Sequence, residues 1–424
     1  MMKKNLIVLN LILCMLTVLC GCDFNLPLMA SRDEEDHVKA EIEYYHTEKA
    51  DNSVDITQDN SESDQSETDR EDTLVDITQS DTLTSDGDDY DGKIFYREAA
   101  SPDEVTLSFA GDFCLTEGCS VLSYIKHHDN DPKNSFNEEL YNRMVDSDIF
   151  MLNNEYPYST RGEALADKLY TFRADPADAS LLMGFGVDIV SLANNHVYDY
   201  GETALNDTLD TLAGIDMPYV GAGRNIEEAS RPAYFNINGK TIAIVSATQI
   251  EGYANPETKE ATETSSGVFR CLDTTRLKAV IAEARANSDY VIFFVHWGTE
   301  LVVDIRDWQV STARDAIEAG ADLIIGAHPH ILQGIDYIEG KPVFYSLGNY
   351  LFNSNTLDTA LVTLTLDTSC ADAVDVKSIE FIPCIQGGGQ TVEASGSDWN
   401  RIIDYENSLC MGAYVDYDGY VSSR

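Results

Sequence analysis

The chain has 424 residues and a formal net charge of −45, with 28 Lys and Arg against 73 Asp and Glu. It carries no basic stripe and no Arg- and aromatic-rich module, which excludes nucleic-acid binding as its function class. Its length accommodates one large α/β domain together with leader and linker segments.

Lys3 and Lys4 precede an apolar run from Leu6 to Leu19, too short for an ordinary membrane span and built like an export signal. The run ends in Leu19-Cys20-Gly21-Cys22, a bacterial lipobox pattern. Residues 1–21 are therefore expected to be a lipoprotein signal peptide, with Cys22 lipid-modified as the mature N-terminus. Two or more acyl chains there would hold the protein stably on the extracellular face of the cytoplasmic membrane.

Residues 22–104 are crowded with Asp, Glu, Ser and Thr and poor in large apolar side chains. Such a stretch cannot bury enough apolar surface to offset chain entropy, so it is expected to be a disordered acidic linker that gives the head reach. A short repeat, Val54-Asp55-Ile56-Thr57-Gln58 and Val75-Asp76-Ile77-Thr78-Gln79, has too few copies to build a solenoid.

The head is expected to span residues 105–424. Its first apolar run, Val105 to Ala110, reads as a strand ending in Gly111-Asp112. Further strands are expected over 148–152, ending in Asn153-Asn154-Glu155, and over 187–192, ending in Asn194-Asn195-His196. Two more, over 290–295 and 321–325, lead to His296-Trp297-Gly298 and to His328-Pro329-His330. Helical patterns lie between them, for example over 177–185 and 277–286. Strands alternating with helices predict a mostly parallel sheet, whose ligands collect past the strands' C-terminal ends. Six cysteines follow Cys22, and their spacing fixes no disulfide pairing.

Pooled, the strand ends supply Asp112, Glu155, Asn195, His196, His296, His328 and His330. Carboxylates, an amide oxygen and imidazoles suit one or two divalent ions such as Mn²⁺, Zn²⁺ or Fe²⁺. Asp112 and His330 would hold one ion, and Asn195, His296 and His328 the other, with Glu155 between them. His196 would act as a general acid or stabilise developing negative charge. Each motif also has a plain reading. Gly-Asp is often a turn, Asn-Asn-His a helix cap beside a surface histidine, and His-Trp-Gly a core pair.

These motifs, with Asp199-Tyr200-Gly201, Gly221-Ala222-Gly223-Arg224-Asn225, Thr299-Glu300 and Ser346-Leu347-Gly348-Asn349, resemble the bacterial capsule synthesis family of the CapA, poly-γ-glutamate type. The resemblance runs from about residue 105 to 352. That family is similar to calcineurin-like metallophosphatases, which implies a four-layer αββα sandwich. It also implies work on an anionic polymer beside capsule-polymer synthesis and export proteins. The alternatives are a metal-dependent phosphoesterase acting on envelope phosphate esters and a non-catalytic metal-binding scaffold. Arg224 reads as an anion-binding side chain or a structural one. Asp199 and Glu300 read as groups orienting the imidazoles or as solvent-facing acids. Asn349 would hydrogen-bond the His330 loop or a substrate, and Trp297 and Tyr350 would wall the pocket. One departure stands out: Cys114 holds the place where metallophosphatases usually carry a histidine ligand.

Overall fold

The computed structural model describes residues 93–166, 168–250 and 258–424. The signal peptide, the lipobox Cys22 and the linker up to residue 92 lie outside the described residues. Among those described, no helix is long and apolar enough to cross a membrane.

Two mixed sheets form the frame. One has seven strands, in the order Lys93–Arg97, Ala233–Ile237, Lys240–Thr248, Tyr290–His296, Leu323–Ala327, Lys341–Leu347 and Leu332–Ile338. The other runs Gln390–Glu393, Asp375–Gly387, Leu357–Asp367, Glu104–Phe113, Ile149–Asn154, Ile189–Ser191 and Tyr219–Val220, and Asn349–Leu351 pairs with Glu104–Phe113 as an eighth strand. The strands that end in candidate ligands pair parallel within each sheet.

The alternation of side chains explains the layering. In Tyr290–His296, Ile292 and Phe294 enter a core between the sheets, facing Leu107, Phe109 and Met151. Val291, Phe293 and Val295 point the other way, onto Leu277, Ile281, Ala313 and Ala316 of helices Thr274–Ala286 and Asp307–Ala319. A strand buried on both faces must read as a continuous apolar run, as this one does. Phe150, Leu152 and Val190 of the second sheet face helices Ser120–His127, Glu138–Val145 and Gly201–Gly214 through Val121, Leu140 and Leu205. The result is helix, sheet, sheet, helix, the four-layer αββα sandwich. Each large apolar side chain in these cores contributes about 1.5–3 kcal/mol of burial free energy.

The structure differs from the sequence reading in several places. The alternation pattern alone suggested one mostly parallel sheet, whereas there are two mixed sheets. The expected linker reaches too far, because Lys93–Arg97 is a strand paired in parallel with Ala233–Ile237. Local acidity hid it, and the pairing is supplied by a strand far along the chain. The strand expected over 105–110 continues to Phe113, because Asp112 pairs with both Asn153 and Asn349. The helix expected over 177–185 is a 3-10 turn, Pro176–Ser180, followed by a short helix, Leu181–Gly184. The helix over 277–286 starts earlier, at Thr274, where the Asp273 side chain accepts from the Thr275 N–H and caps it.

Candidate metal centre

The site lies where the C-terminal ends of both sheets' parallel strands meet. The second sheet supplies Asp112, Glu155, Asn195 and His196, and the first supplies His296, His328 and His330. Register does much of the placing: His296 pairs with Ala327, so the strand-end histidines begin as neighbours. The turn after Ala327 holds His328 at φ +99° and His330 at φ +61°. Left-handed backbone at a non-glycine residue costs roughly 1–3 kcal/mol and persists only where its surroundings enforce it. Here the His328 N–H donates to both Asp112 carboxylate oxygens at 3.3 and 3.2 Å, across the two sheets. Gly326 permits the close approach beneath, because a Cβ would stand 2.1 Å from the Tyr345 carbonyl oxygen and 2.5 Å from Trp297 Nε1.

Two constellations share Glu155: Glu155, His296 and His328 in one, and Asp112, Glu155 and His330 in the other, with ligand atoms within 4.8 Å of one another in each. His296 Nε2 lies 2.9 Å from Asn195 Oδ1, 3.0 Å from His328 Nδ1 and 3.5 Å from Glu155 Oε1. On the other side, His330 Nδ1 lies 3.1 Å from Asp112 Oδ2 and 2.9 Å from Asn349 Oδ1. The donor set fits a cation. Glu155 Oε1 is buried and has no hydrogen-bond partner, and a buried carboxylate oxygen without one is costly. One proton on His296 Nε2 cannot serve the three lone-pair groups around it. Oxygen and imidazole nitrogen together suit Mn²⁺, Zn²⁺ or Fe²⁺.

Electrostatics agree. Burial, with the neighbouring Asp112 charge, pushes Glu155 well above the ordinary carboxylate range. Burial and the surrounding imidazoles hold His296 and His328 well below the usual histidine value, so both rings are neutral with lone pairs available. Burial works against a charge on His330, but the Asp112 carboxylate outweighs it and raises the ring.

His196 stands apart from the ligand atoms. Its Nδ1 is 2.8 Å from Asp199 Oδ2, and Phe172 stacks on its ring with centroids 4.2 Å apart. Asp199, fully buried, also binds Lys168 Nζ at 2.6 Å and accepts from the Phe172 N–H at 2.6 Å. Burial lowers the His196 pKa and Asp199 partly offsets this. The Asp199 contact at Nδ1 fixes the orientation of the ring.

A family model described as "Bacterial capsule synthesis protein PGA_cap" matches residues 106–354, a span that holds every residue from Asp112 to Asn349. The chain belongs to this family. Among its relatives is "PGA biosynthesis protein CapA" of Bacillus subtilis (strain 168), 31% identical over 286 residues, covering 66% of this chain and 73% of that one. "Capsule biosynthesis protein CapA" of Bacillus anthracis is 31% identical over 269 residues, 61% of this chain and 63% of its own. A "Probable polyglutamine synthesis accessory protein" of Mycobacterium tuberculosis is 28% identical over 209 residues, 48% of this chain and 55% of its own. Among solved structures, 5'-nucleotidase from Candida albicans SC5314 aligns at TM-score 0.36 and 10% identity, over 68% of this chain and 53% of that one. The four-layer architecture rests on the sheets and cores described above, not on that alignment.

Within the family frame, the remaining expected residues separate. Asn349 joins the cluster through His330, and Asp199 joins it through His196. Glu300 is exposed, and its charge reaches Glu155 and His330. Arg224 is not brought to the cluster: its guanidinium pairs with Asp210 at 2.6 Å and is half exposed. Trp297 and Tyr350 are core residues rather than pocket walls. The Trp297 indole donates to the Tyr345 carbonyl, and the Tyr350 hydroxyl donates to Met144 Sδ. Cys114 turns into the helix-side core of the second sheet.

Sequence reasoning gave no role to Asn153, Asn194 or Lys168. Asn153 Nδ2 donates to Asp112 Oδ1 at 2.8 Å and lies 3.3 Å from His296 Nδ1. Asn194 donates to Asn153 Oδ1 at 3.0 Å, and its own Oδ1 accepts from the His196 and Val197 N–H groups. The doubled Asn-Asn at two strand ends was a signal for the asparagines. Lys168 lies in an irregular polar loop with no pattern to mark it.

Proposed function

We propose that this chain is an exported, lipid-anchored component of a capsule-polymer machinery, acting beside polymer synthesis and export proteins on an anionic polymer of the poly-γ-glutamate kind. Family membership supports the capsule role, and the names of the two Bacillus relatives support the polymer class. The Leu19-to-Cys22 motif supports the anchor.

The observation that carries a chemical role is the convergence of Asp112, Glu155, Asn195, His296, His328 and His330 on shared points, with one orphaned carboxylate oxygen among them. Asn195, His296 and His328 would hold one divalent ion, Asp112, His330 and Asn349 a second, and Glu155 would touch both. A bound divalent ion supplies Lewis-acid charge to an anionic substrate oxygen. The protein's own groups do the rest. Asn153 fixes the Asp112 carboxylate, Asp199 fixes the His196 tautomer, and His196 holds or delivers a proton on the substrate side.

A second reading, a phosphoesterase acting on envelope phosphate esters, is favoured by the His196–Asp199 pair beside the cluster. The deciding experiment deletes the gene, restores it as wild type or Asn195→Ala, and analyses the surface polymer chemically. The capsule reading expects polymer loss that only the wild-type copy repairs. Unchanged polymer in the deletion overturns it. Turnover of a chromogenic phosphate ester with Mn²⁺ by the purified protein would move weight to the second reading. A loaded site with no turnover and normal polymer would leave a scaffold.

A further inference from the structure

Lys168 stands beside the cluster rather than in it. Its ammonium pairs with Asp199 Oδ1 at 2.6 Å and also donates to the Asn195 backbone carbonyl. These two acceptors serve different parts of the site. Asp199 orients His196, whose Nδ1 lies 2.8 Å from Asp199 Oδ2. Asn195 turns its side-chain oxygen to within 2.9 Å of His296 Nε2. One cation thus grips both the residue that sets His196 and the backbone of the ligand next to it. The Lys168 side chain is only 10% exposed and the Asp199 side chain is fully buried. The lysine charge reaches Glu155, His196, His296 and His328.

The loop that carries Lys168 is pinned on Asp199. The Leu165 N–H donates to the Asp199 carbonyl at 2.8 Å, and the Phe172 N–H to Asp199 Oδ2 at 2.6 Å. Phe172, stacked on His196, also meets Phe352 edge-on at 5.7 Å, and Phe352 leans on His330 at 4.9 Å. Between Lys168 and Phe172, the side chains of Leu169 and Tyr170 are turned out, 74% and 65% exposed. A loop normally buries its large apolar side chains and exposes its lysine. This one does the reverse, so Leu169 and Tyr170 contribute little to holding it, and the polar contacts with Asp199 carry the anchorage.

We propose that Lys168 is a positioning residue for the metal centre: by clamping Asp199 and the Asn195 carbonyl together, it holds the Asn195 side chain on its ion and the His196 ring beside it. The inference rests on the metal reading above. Asn195 and Asp199 lie in a turn outside helix and strand, after Ile189–Ser191, and the Asp199 N–H donates to the His196 carbonyl at 3.1 Å within it. Such a segment takes its shape from cross-braces rather than from a ladder. Removing the ammonium would leave Asp199 a buried carboxylate without its cation, a costly state that moving the turn relieves.

The test titrates the metal-free full-length protein with Mn²⁺ alone, reading bound ion from loss of the free-ion EPR signal. Lys168→Met keeps the aliphatic stem without the charge, and Lys168→Arg keeps the charge. Groups that orient a ligand are typically worth about 10–100-fold in metal affinity. Lys168→Met should lose that much, and Lys168→Arg should recover most of it. A packing role predicts the opposite order, because Met fits the space better than Arg. Wild-type affinity in folded Lys168→Met, or Lys168→Arg no better than Lys168→Met, overturns the proposal while leaving the metal reading intact. A folded wild type that takes up no divalent ion by elemental analysis overturns both. Should Lys168→Met fail to fold, hydrogen exchange on wild type decides. Coupling between clamp and ion is reciprocal, so Mn²⁺ should slow exchange of the Leu165 and Phe172 amides. Equal exchange with and without the ion overturns the clamp.

Discussion

His328 Nδ1 lies 3.0 Å from His296 Nε2, although 32 positions separate the two residues in the chain. Both rings are buried and held below the ordinary histidine range, so two lone-pair nitrogens are turned on one small volume. Asn195 Oδ1 and Glu155 Oε1 border the same volume. Neutral protein groups seldom crowd their lone pairs together without a cation to receive them.

The purified protein is therefore expected to carry about one to two divalent ions per chain. His296→Ala and His328→Ala should each lose most of the ion they share. His330→Ala should empty chiefly the Asp112 side. Elemental analysis against wild type reads the outcome, and wild-type metal content in all three variants would remove these histidines from the ligand set.

Asn153 touches no ion in this scheme, yet it holds the Asp112 carboxylate at 2.8 Å. Partners that orient a ligand are typically worth about 10–100-fold in metal affinity. Asn153→Ala should weaken binding by that order without unfolding the protein. Titration in a metal buffer, with a thermal melt as control, checks it; unchanged affinity would make Asn153 a packing residue only.

His196 should behave in the opposite way. His196→Ala is expected to keep metal and fold but lose output, because the ring meets Asp199 rather than the ligand atoms. General acid–base assistance is worth about 10²–10⁴-fold, so a loss of only a few-fold argues against the role. Metal content and activity, or surface-polymer yield, are measured on the same preparation.

Glu406 offers a pH test away from the site. It is buried, its Oε2 has no partner, and burial raises its carboxyl from the ordinary 4.5 to about 8. The folded pKa exceeds the unfolded one. Between these values the unfolded chain has already released the proton and the native state retains it. Stability from this group is thus intact below about 4.5, falls as pH rises towards about 8, and is flat beyond. The total is on the order of a few kcal/mol. Glu406→Gln should remove that decline, so the variant's melting temperature should overtake wild type as pH rises from 5 to 9. Parallel pH profiles for the two proteins would show that Glu406 does not titrate in this way.

Cys22→Ser should abolish lipid attachment and either release the protein or leave the precursor uncut. Metabolic labelling with an alkyne fatty acid decides this. Equal label on wild type and mutant rejects the lipobox.

The sequence by itself determined the strands that end in ligands, because a strand buried on both faces must be a continuous apolar run and the run stops where polar chemistry begins. Tyr290–His296 and the Gly326-to-His330 stretch were legible for that reason, and so were Asp112, Glu155, Asn195 and His196 as candidates. Parallel strands bring such ends to one edge, so the pooled residues could be suspected of meeting. Only the tertiary structure decided which do. Arg224, in a conspicuous glycine-rich motif, sits with Asp210, whereas Lys168, in an unpatterned loop, binds Asp199 beside His196. The strand Lys93–Arg97 was hidden by the acidic stretch before it although Ile94, Phe95 and Tyr96 suit a strand, and the extension of the first head strand to Phe113 exists through pairing with distant segments. Periodicity and burial are written locally in a chain. Contact between side chains more than a hundred residues apart depends on how two sheets stack, and no local pattern encodes that.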